Sequence, residues 1–205
     1  MEDKGVRYHG LSYAALGYIF ININFHIGRI QLLPDFVGYL FLLCAISILF
    51  QERRDLLLLR PLCIILMVIG IINWILAFAG EGVGGHIMFF DLLVTAVTLY
   101  FYFQFLTDIA ALAQTCPKCG KKMAVRLRFC RTVCTLLNTV IAVVSFMFWN
   151  VRLEDGRIYA RGFRYLLLLI GLMVAITTLV IIVTLFGLRK RFRNMEKEVE
   201  IGNIT

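Results

Sequence analysis

Four cysteines lie close together in the sequence, at a spacing that can bind a metal ion. Cys116 and Cys119 are separated by two residues, and Cys130 and Cys134 follow, which gives the pattern C-x2-C-x10-C-x3-C. Four thiolates at about 2.3 Å from the metal form the tetrahedral ligand set of structural zinc sites. Cys130 and Cys134 are four residues apart and share one face of a helix. A turn that folds back onto this face would bring the four thiolates together. The spacing therefore predicts a structural zinc site, in which four protein ligands leave no coordination position open for catalysis.

The first cysteine pair also carries a resemblance. The segment 116–120, Cys-Pro-Lys-Cys-Gly, resembles the knuckle of zinc-ribbon and rubredoxin-type sites, and this implies zinc as the bound metal. The second pair departs from the usual second C-x-x-C of those sites. Two alternatives stay open. One is a redox dithiol at Cys116 and Cys119, although the βαβ context of thioredoxin-like proteins is absent. The other is a set of unligated thiols kept reduced by the cytosol.

A second group of polar residues interrupts the apolar part of the sequence: Asn22, His26, Arg29, Asp35, Asn73 and Asp91. Asn22, His26 and Arg29 would share one face of a continuous helix, and Arg29 is close enough to Asp35 to form an ion pair. Buried polar groups in a bilayer are costly, and they are usually paired or functional. One interpretation is an outward-facing binding pocket, with Asp35 and Asp91 as cation or proton sites and His26 as a titratable partner. The other is structural, with these groups capping and bridging helices.

The elements that would position these residues are membrane helices. The chain is 60% hydrophobic and 17% charged, with a mean hydropathy of +0.85, and several apolar runs are about 20 residues long, enough to cross a bilayer. These runs are continuous rather than alternating, which favours helices. We therefore predict an all-α polytopic membrane protein with about six transmembrane helices, arranged as antiparallel hairpins. Their predicted bounds are 11–29, 34–50, 61–79, 86–106, 132–149 and 164–188.

The distribution of charge predicts how these helices are oriented. The whole chain, 1–205, forms a single transmembrane domain, with a Cys-rich basic loop at 107–131, a small hairpin near Asp155-Gly156 and a charged tail at 189–205. Six spans place 16 of the 21 lysines and arginines on one side. By the positive-inside rule that side is cytoplasmic, and it includes both termini and the cysteine loop. The net charge of +8 lies in loops, where it contacts lipid headgroups rather than nucleic acid.

The segment Gln31–Leu40, QLLPDFVGYL, resembles a segment of small uncharacterised bacterial multi-pass membrane proteins. The resemblance implies a location in a bacterial cell membrane and brings no activity with it. No phosphate-binding loop, H-E-x-x-H or G-x-S-x-G occurs in the sequence, so we do not expect an enzyme. The favoured function is an accessory or sensor-like membrane protein with a zinc-stabilised cytoplasmic loop, which contacts a protein partner or a second copy. The alternative is a small transporter or channel that uses the outward-facing polar residues.

Overall fold

The computed structural model describes residues 6–22, 26–27, 30–31, 34–51, 54–78, 88–116, 120–149 and 157–202. These residues are almost entirely helical, which confirms the predicted all-α class. The only strands among them are two residues long. The elements in chain order are α1 (Val6–Asn22), β1 (His26–Ile27), β2 (Ile30–Gln31), α2 (Asp35–Leu49), a 3-10 helix (Arg54–Leu58), α3 (Leu59–Phe78), α4 (Met88–Gln114), α5 (Gly120–Trp149) and α6 (Arg157–Gly202).

Glycines let α1 and α2 approach each other closely. A Cβ atom added at Gly17 would lie 2.8 Å from the carbonyl oxygen of Gly38, and one added at Gly38 would lie 2.9 Å from the carbonyl oxygen of Gly17. At one end of this helix pair, Gly10 of α1 lies against the Leu49 side chain of α2. Only hydrogen atoms fit between the two backbones at this crossing. Small residues at helix crossings are typical of membrane proteins, where close van der Waals packing takes the place of the hydrophobic effect.

Aromatic side chains from α1, α2 and α4 pack together inside the bundle. Each helix contacts the next one in the chain, and α6 returns to contact α1. From α4, the buried rings of Phe101 and Phe105 stack with centroids 5.9 Å apart. Phe101 contacts Tyr39 of α2 at 6.3 Å, and Tyr102 meets Tyr18 of α1 edge-on at 5.6 Å. Side chains of α4 therefore contact both α1 and α2 inside the bundle.

Four segments of the described chain are long and apolar enough to cross a membrane. They are Arg54–Leu76, Phe90–Gln114, Gly120–Ser145 and Leu168–Met195. Their outward faces carry exposed aliphatic side chains, such as Ile65 on α3 and Leu172 on α6. A water-soluble bundle would place polar residues there, because apolar surface in water costs free energy. These surfaces are suited to contact with lipid, which agrees with the predicted multi-pass membrane class.

The structure corrects the predicted bounds of three helices. α4 continues through residues 107–114, and α5 already begins at Gly120, so the predicted loop 107–131 is mostly helical. α6 runs from Arg157 to Gly202, and it includes both the last part of the predicted hairpin and most of the predicted tail. The lengths of the apolar runs do not predict these extensions, because the helical turns there carry charged residues on one side and packed residues on the other. Asp155 and Gly156 lie outside the described residues.

The predicted first helix is also too long. α1 ends at Asn22, whose side-chain amide donates to the Tyr18 carbonyl of its own last turn at 2.8 Å. Beyond it, β1 and β2 form a short antiparallel ladder, with His26 opposite Gln31 and Ile27 opposite Ile30. Asn22 and His26 therefore do not share a helix face as predicted. Arg29, the third member of that set, lies outside the described residues.

Candidate functional site

A tight turn joins α4 to α5 at one end of the bundle. The Cys116 amide donates to the Ala113 carbonyl, and the Gly120 amide donates to the Cys116 carbonyl, both at 3.1 Å. A Cβ atom at Gly120 would collide with the Ala113 carbonyl oxygen. Glycine is required at this position because any side chain would force the two helices apart.

The end of α6 packs against this turn. The Cys116 Sγ lies 3.9 Å from the Met195 Sδ, and a Cβ atom at Gly187 would lie 3.2 Å from the Met123 methyl group. Phe192, between these two contacts, is buried. From α5, Ala124 and Leu127 complete the buried face. The turn and the three helix ends therefore form one end of the buried apolar core of the bundle.

Cations cover the outside of this end, which we call the basic end. The described lysines and arginines with exposed side chains are Arg54, Arg60, Lys121, Lys122, Arg126, Arg128, Lys190 and Arg193. The Arg189 guanidinium lies 5.5 Å from the centre of the Tyr8 ring, and this contact places the start of α1 beside the same part of α6. A helix bundle with exposed cations gathered at one end presents a surface for anionic groups.

Polar side chains between α4 and α5 lie next to the basic end. The Arg131 Nη1 donates to the Thr107 Oγ1 at 2.6 Å, and its guanidinium stacks 4.0 Å from the centre of the Phe103 ring. On α4, Gln104 donates to the buried Asp108 carboxylate at 3.3 Å. The sequence interpretation missed the packing of Asp108 and Arg131 because it placed both in a loop. The signal was present, since Phe103 and Thr107 already have helical spacing.

The cysteines do not come together as a zinc site would require. Cys116 lies in the turn beside Gly120, but Cys130 and Cys134 follow on the continuous α5 helix. The helical rise places them about 15 Å and about 21 Å further along the axis than Gly120. Cys134 instead accepts a 3.4 Å hydrogen bond from the Asn138 side chain and interacts with Tyr18 and Thr178. Among the described residues, no three His, Cys, Asp or Glu side chains are grouped as metal ligands.

The described geometry does not favour a four-cysteine zinc site within one chain. The predicted ligand Cys119 lies outside the described residues. We expect detergent-purified protein to contain far less than one zinc per chain, because helical α5 holds two of the four thiols away from the turn. Elemental analysis beside a Cys116→Ser/Cys119→Ser variant tests this expectation. One zinc per chain that disappears in the variant would contradict the helical geometry. Half a zinc per chain would place the metal between two copies.

The structure describes the side chains of four of the residues predicted for an outward-facing pocket. Asn22, Asn73 and Asp91 have exposed side chains on α1, α3 and α4. Asp35 is partly buried at the start of α2, where its charge acts on Tyr39 and Tyr102. Of His26 only the backbone is described, in β1. A transporter or channel would need several of these groups around one ligand, so that alternative stays a prediction.

Comparison with known proteins adds no relative. The chain matches no protein-family model, and it has no significant similarity to a curated protein or to a solved structure. The class defined by the described residues is an α-helical protein with four helices able to cross a membrane. The basic end and the packing that forms it are the features of the described chain that bear most directly on function.

Proposed function

We propose that this chain is a multi-pass protein of a bacterial cell membrane, with six helices that cross as antiparallel hairpins. Contacts between helix ends support this arrangement. Gly10 near the start of α1 meets Leu49 at the end of α2, and the turn after α4 meets the end of α6. With 17 residues, α1 is at the lower limit of length for a crossing, and α2, with 15 residues, is just below that limit.

In this proposal the basic end and both termini face the cytoplasm. The support is the concentration of exposed lysines and arginines near the α4–α5 turn and the end of α6. Cations resist transfer across the membrane during insertion and remain on the cytoplasmic side. The residues Asp35 and Asp91, at the starts of α2 and α4, then lie at the outer side.

We further propose an accessory or sensor-like role, exerted by binding at the basic end rather than by catalysis. The observation that carries this proposal is the length of α6. At Arg189 the helix is beside Tyr8 of α1, and residues 190–202 continue as helix beyond that level. We call residues 190–202 the projecting part of α6, because they continue beyond the start of α1. The helical rise makes this part about 20 Å long, and Phe192 and Met195 in its first half pack against the α4–α5 turn. A helix that is held by Phe192 and Met195 against the α4–α5 turn and continues past them is suited to contact a protein partner or a second copy.

Site-specific photocrosslinking in cells tests this role. A photoreactive residue at Arg193, which is exposed on the projecting part of α6, is expected to give a discrete protein adduct. The same residue at Leu172, on the apolar face of α6, is the matched control and is expected to give none. A Lys190→Gln variant is expected to weaken the Arg193 adduct, because it removes a neighbouring positive charge from the contact. Equal adducts from both positions, or none from Arg193, would contradict the proposed role.

A further inference from the structure

One face of α5 has an unusual combination of exposed residues at the basic end. Val125 is 64% exposed and Phe129 is 69% exposed, although both lie in the first three turns among cations. The opposite face of the same turns is buried through Ala124 and Leu127. The two exposed apolar side chains are one turn apart and form a single patch.

This patch continues into the surface of the bundle that faces lipid. Beyond Phe129, the exposed large apolar side chains at helical spacing are Leu136, Val140 and Val143, and the uncharged Thr132 and Thr139 are exposed beside them. Residues 132–149 of α5 contain no charged side chain. Under the proposed topology these residues lie in the hydrocarbon layer, and Val125 and Phe129 lie at headgroup depth. An acyl chain can therefore follow the stripe from the basic end into the hydrocarbon layer.

Exposed cations border the patch on both sides. Lys122 and Arg126 are one turn apart along one edge, and Lys121 and Arg128 lie along the other. α5 contains no Asp or Glu that would neutralise them. Arg131, the last cation on the helix, is held against α4 by Thr107 and Phe103, and it marks the boundary with the apolar part.

We propose that the first three turns of α5 form a binding site for an anionic phospholipid. The phosphodiester contacts Lys122 and Arg126, and the acyl chain packs on Val125 and Phe129. This site rests on the proposed topology. Its ligand is a lipid, whereas the projecting part of α6 contacts a protein partner. Opposite charge and an uncharged, largely apolar surface that leads into the bilayer favour a lipid over a protein at this position.

Titration with fluorescent phosphatidylglycerol tests the site, with phosphatidylcholine of the same acyl chains as the neutral probe. Purified full-length protein in neutral detergent is compared with a Lys122→Gln/Arg126→Gln variant. The matched control, Lys190→Gln/Arg193→Gln, removes two exposed cations from α6, where the intervening Phe192 is buried. We expect the α5 variant to weaken phosphatidylglycerol binding on the order of tenfold, and the control to change it by less than about twofold.

Several outcomes would overturn the site. Equal weakening in both variants would mean that binding follows total charge rather than the α5 face. Equal affinity for the two lipids, or unchanged binding in the α5 variant, would remove the anionic site. A photoreactive residue at Phe129 that forms a protein adduct in place of a lipid adduct would assign the patch to a protein. None of these results depends on which side of the membrane the basic end occupies, so the topology can fail separately.

Discussion

Replacing Gly17 with leucine is expected to lower the melting temperature of the detergent-solubilised protein by about 5–10 °C. The Cβ of the new side chain would meet the Gly38 carbonyl oxygen at 2.8 Å and the Leu42 side chain at the same distance. Backbone atoms cannot rotate away as a flexible side chain can, so α1 and α2 must separate. The separation also disturbs the Tyr18–Tyr102 contact one residue further along α1.

Gly171→Leu is the matched control for this experiment. A Cβ atom added at Gly171 of α6 would have no heavy atom within 4 Å, so the same substitution gives the same gain in helix propensity without a collision. We expect its melting temperature to equal or slightly exceed that of the parent. A Gly17→Leu protein that melts with the parent would mean that the two helices do not cross at Gly17 and Gly38.

The second large effect is expected from Phe192→Ala. Phe192 is 2% exposed and lies between the contacts of α6 with Met123 and Cys116. Truncation of a buried phenylalanine costs about 3–5 kcal/mol in protein cores. That loss falls on the end of α6, which should detach from the α4–α5 turn while the membrane part stays folded. Trypsin should then cleave the end of α6 at least about tenfold faster.

Leu179→Ala controls for the loss of an apolar side chain on the same helix. Leu179 is 62% exposed on the face suited to lipid, so its truncation should leave the tryptic rate at the end of α6 unchanged. Mass spectrometry identifies whether cleavage follows Lys190 or Arg193. If Phe192→Ala is cleaved at the parental rate, the end of α6 is not held by the turn, and the proposed binding surface loses its support.

Much of the fold could be predicted from the continuous apolar runs. α2 and α3 begin and end within a few residues of the predicted bounds, because an apolar run and a membrane helix have the same length. The extension of α5 back to Gly120 could not be found in this way. Its first turns are charged, and they are helical because Ala124 and Leu127 have α4 and α6 to pack against. That packing depends on residues far away in the sequence.

The candidate site was harder to predict than the fold. The cysteine spacing was interpreted as a folded-back turn, but the interval from Gly120 to Cys130 is a continuous helix. The helix therefore holds the second cysteine pair away from the turn, along the axis of α5. Asn22 and His26 were predicted to share a helix face, but α1 ends at Asn22 and His26 lies in β1. The number of basic residues was evident from the sequence. Their arrangement around Val125 and Phe129 depends on which face of α5 the bundle buries.

The orientation of the basic end is the central claim, and cysteine labelling in intact cells tests it most directly. In a background without the six native cysteines, Lys122→Cys reports the start of α5, and Asp91→Cys reports the start of α4; both side chains are exposed. With a membrane-impermeant maleimide, we expect Asp91→Cys to react in intact cells and Lys122→Cys to react only after permeabilisation. Reaction of Lys122→Cys in intact cells would place the basic end outside and contradict the proposed function.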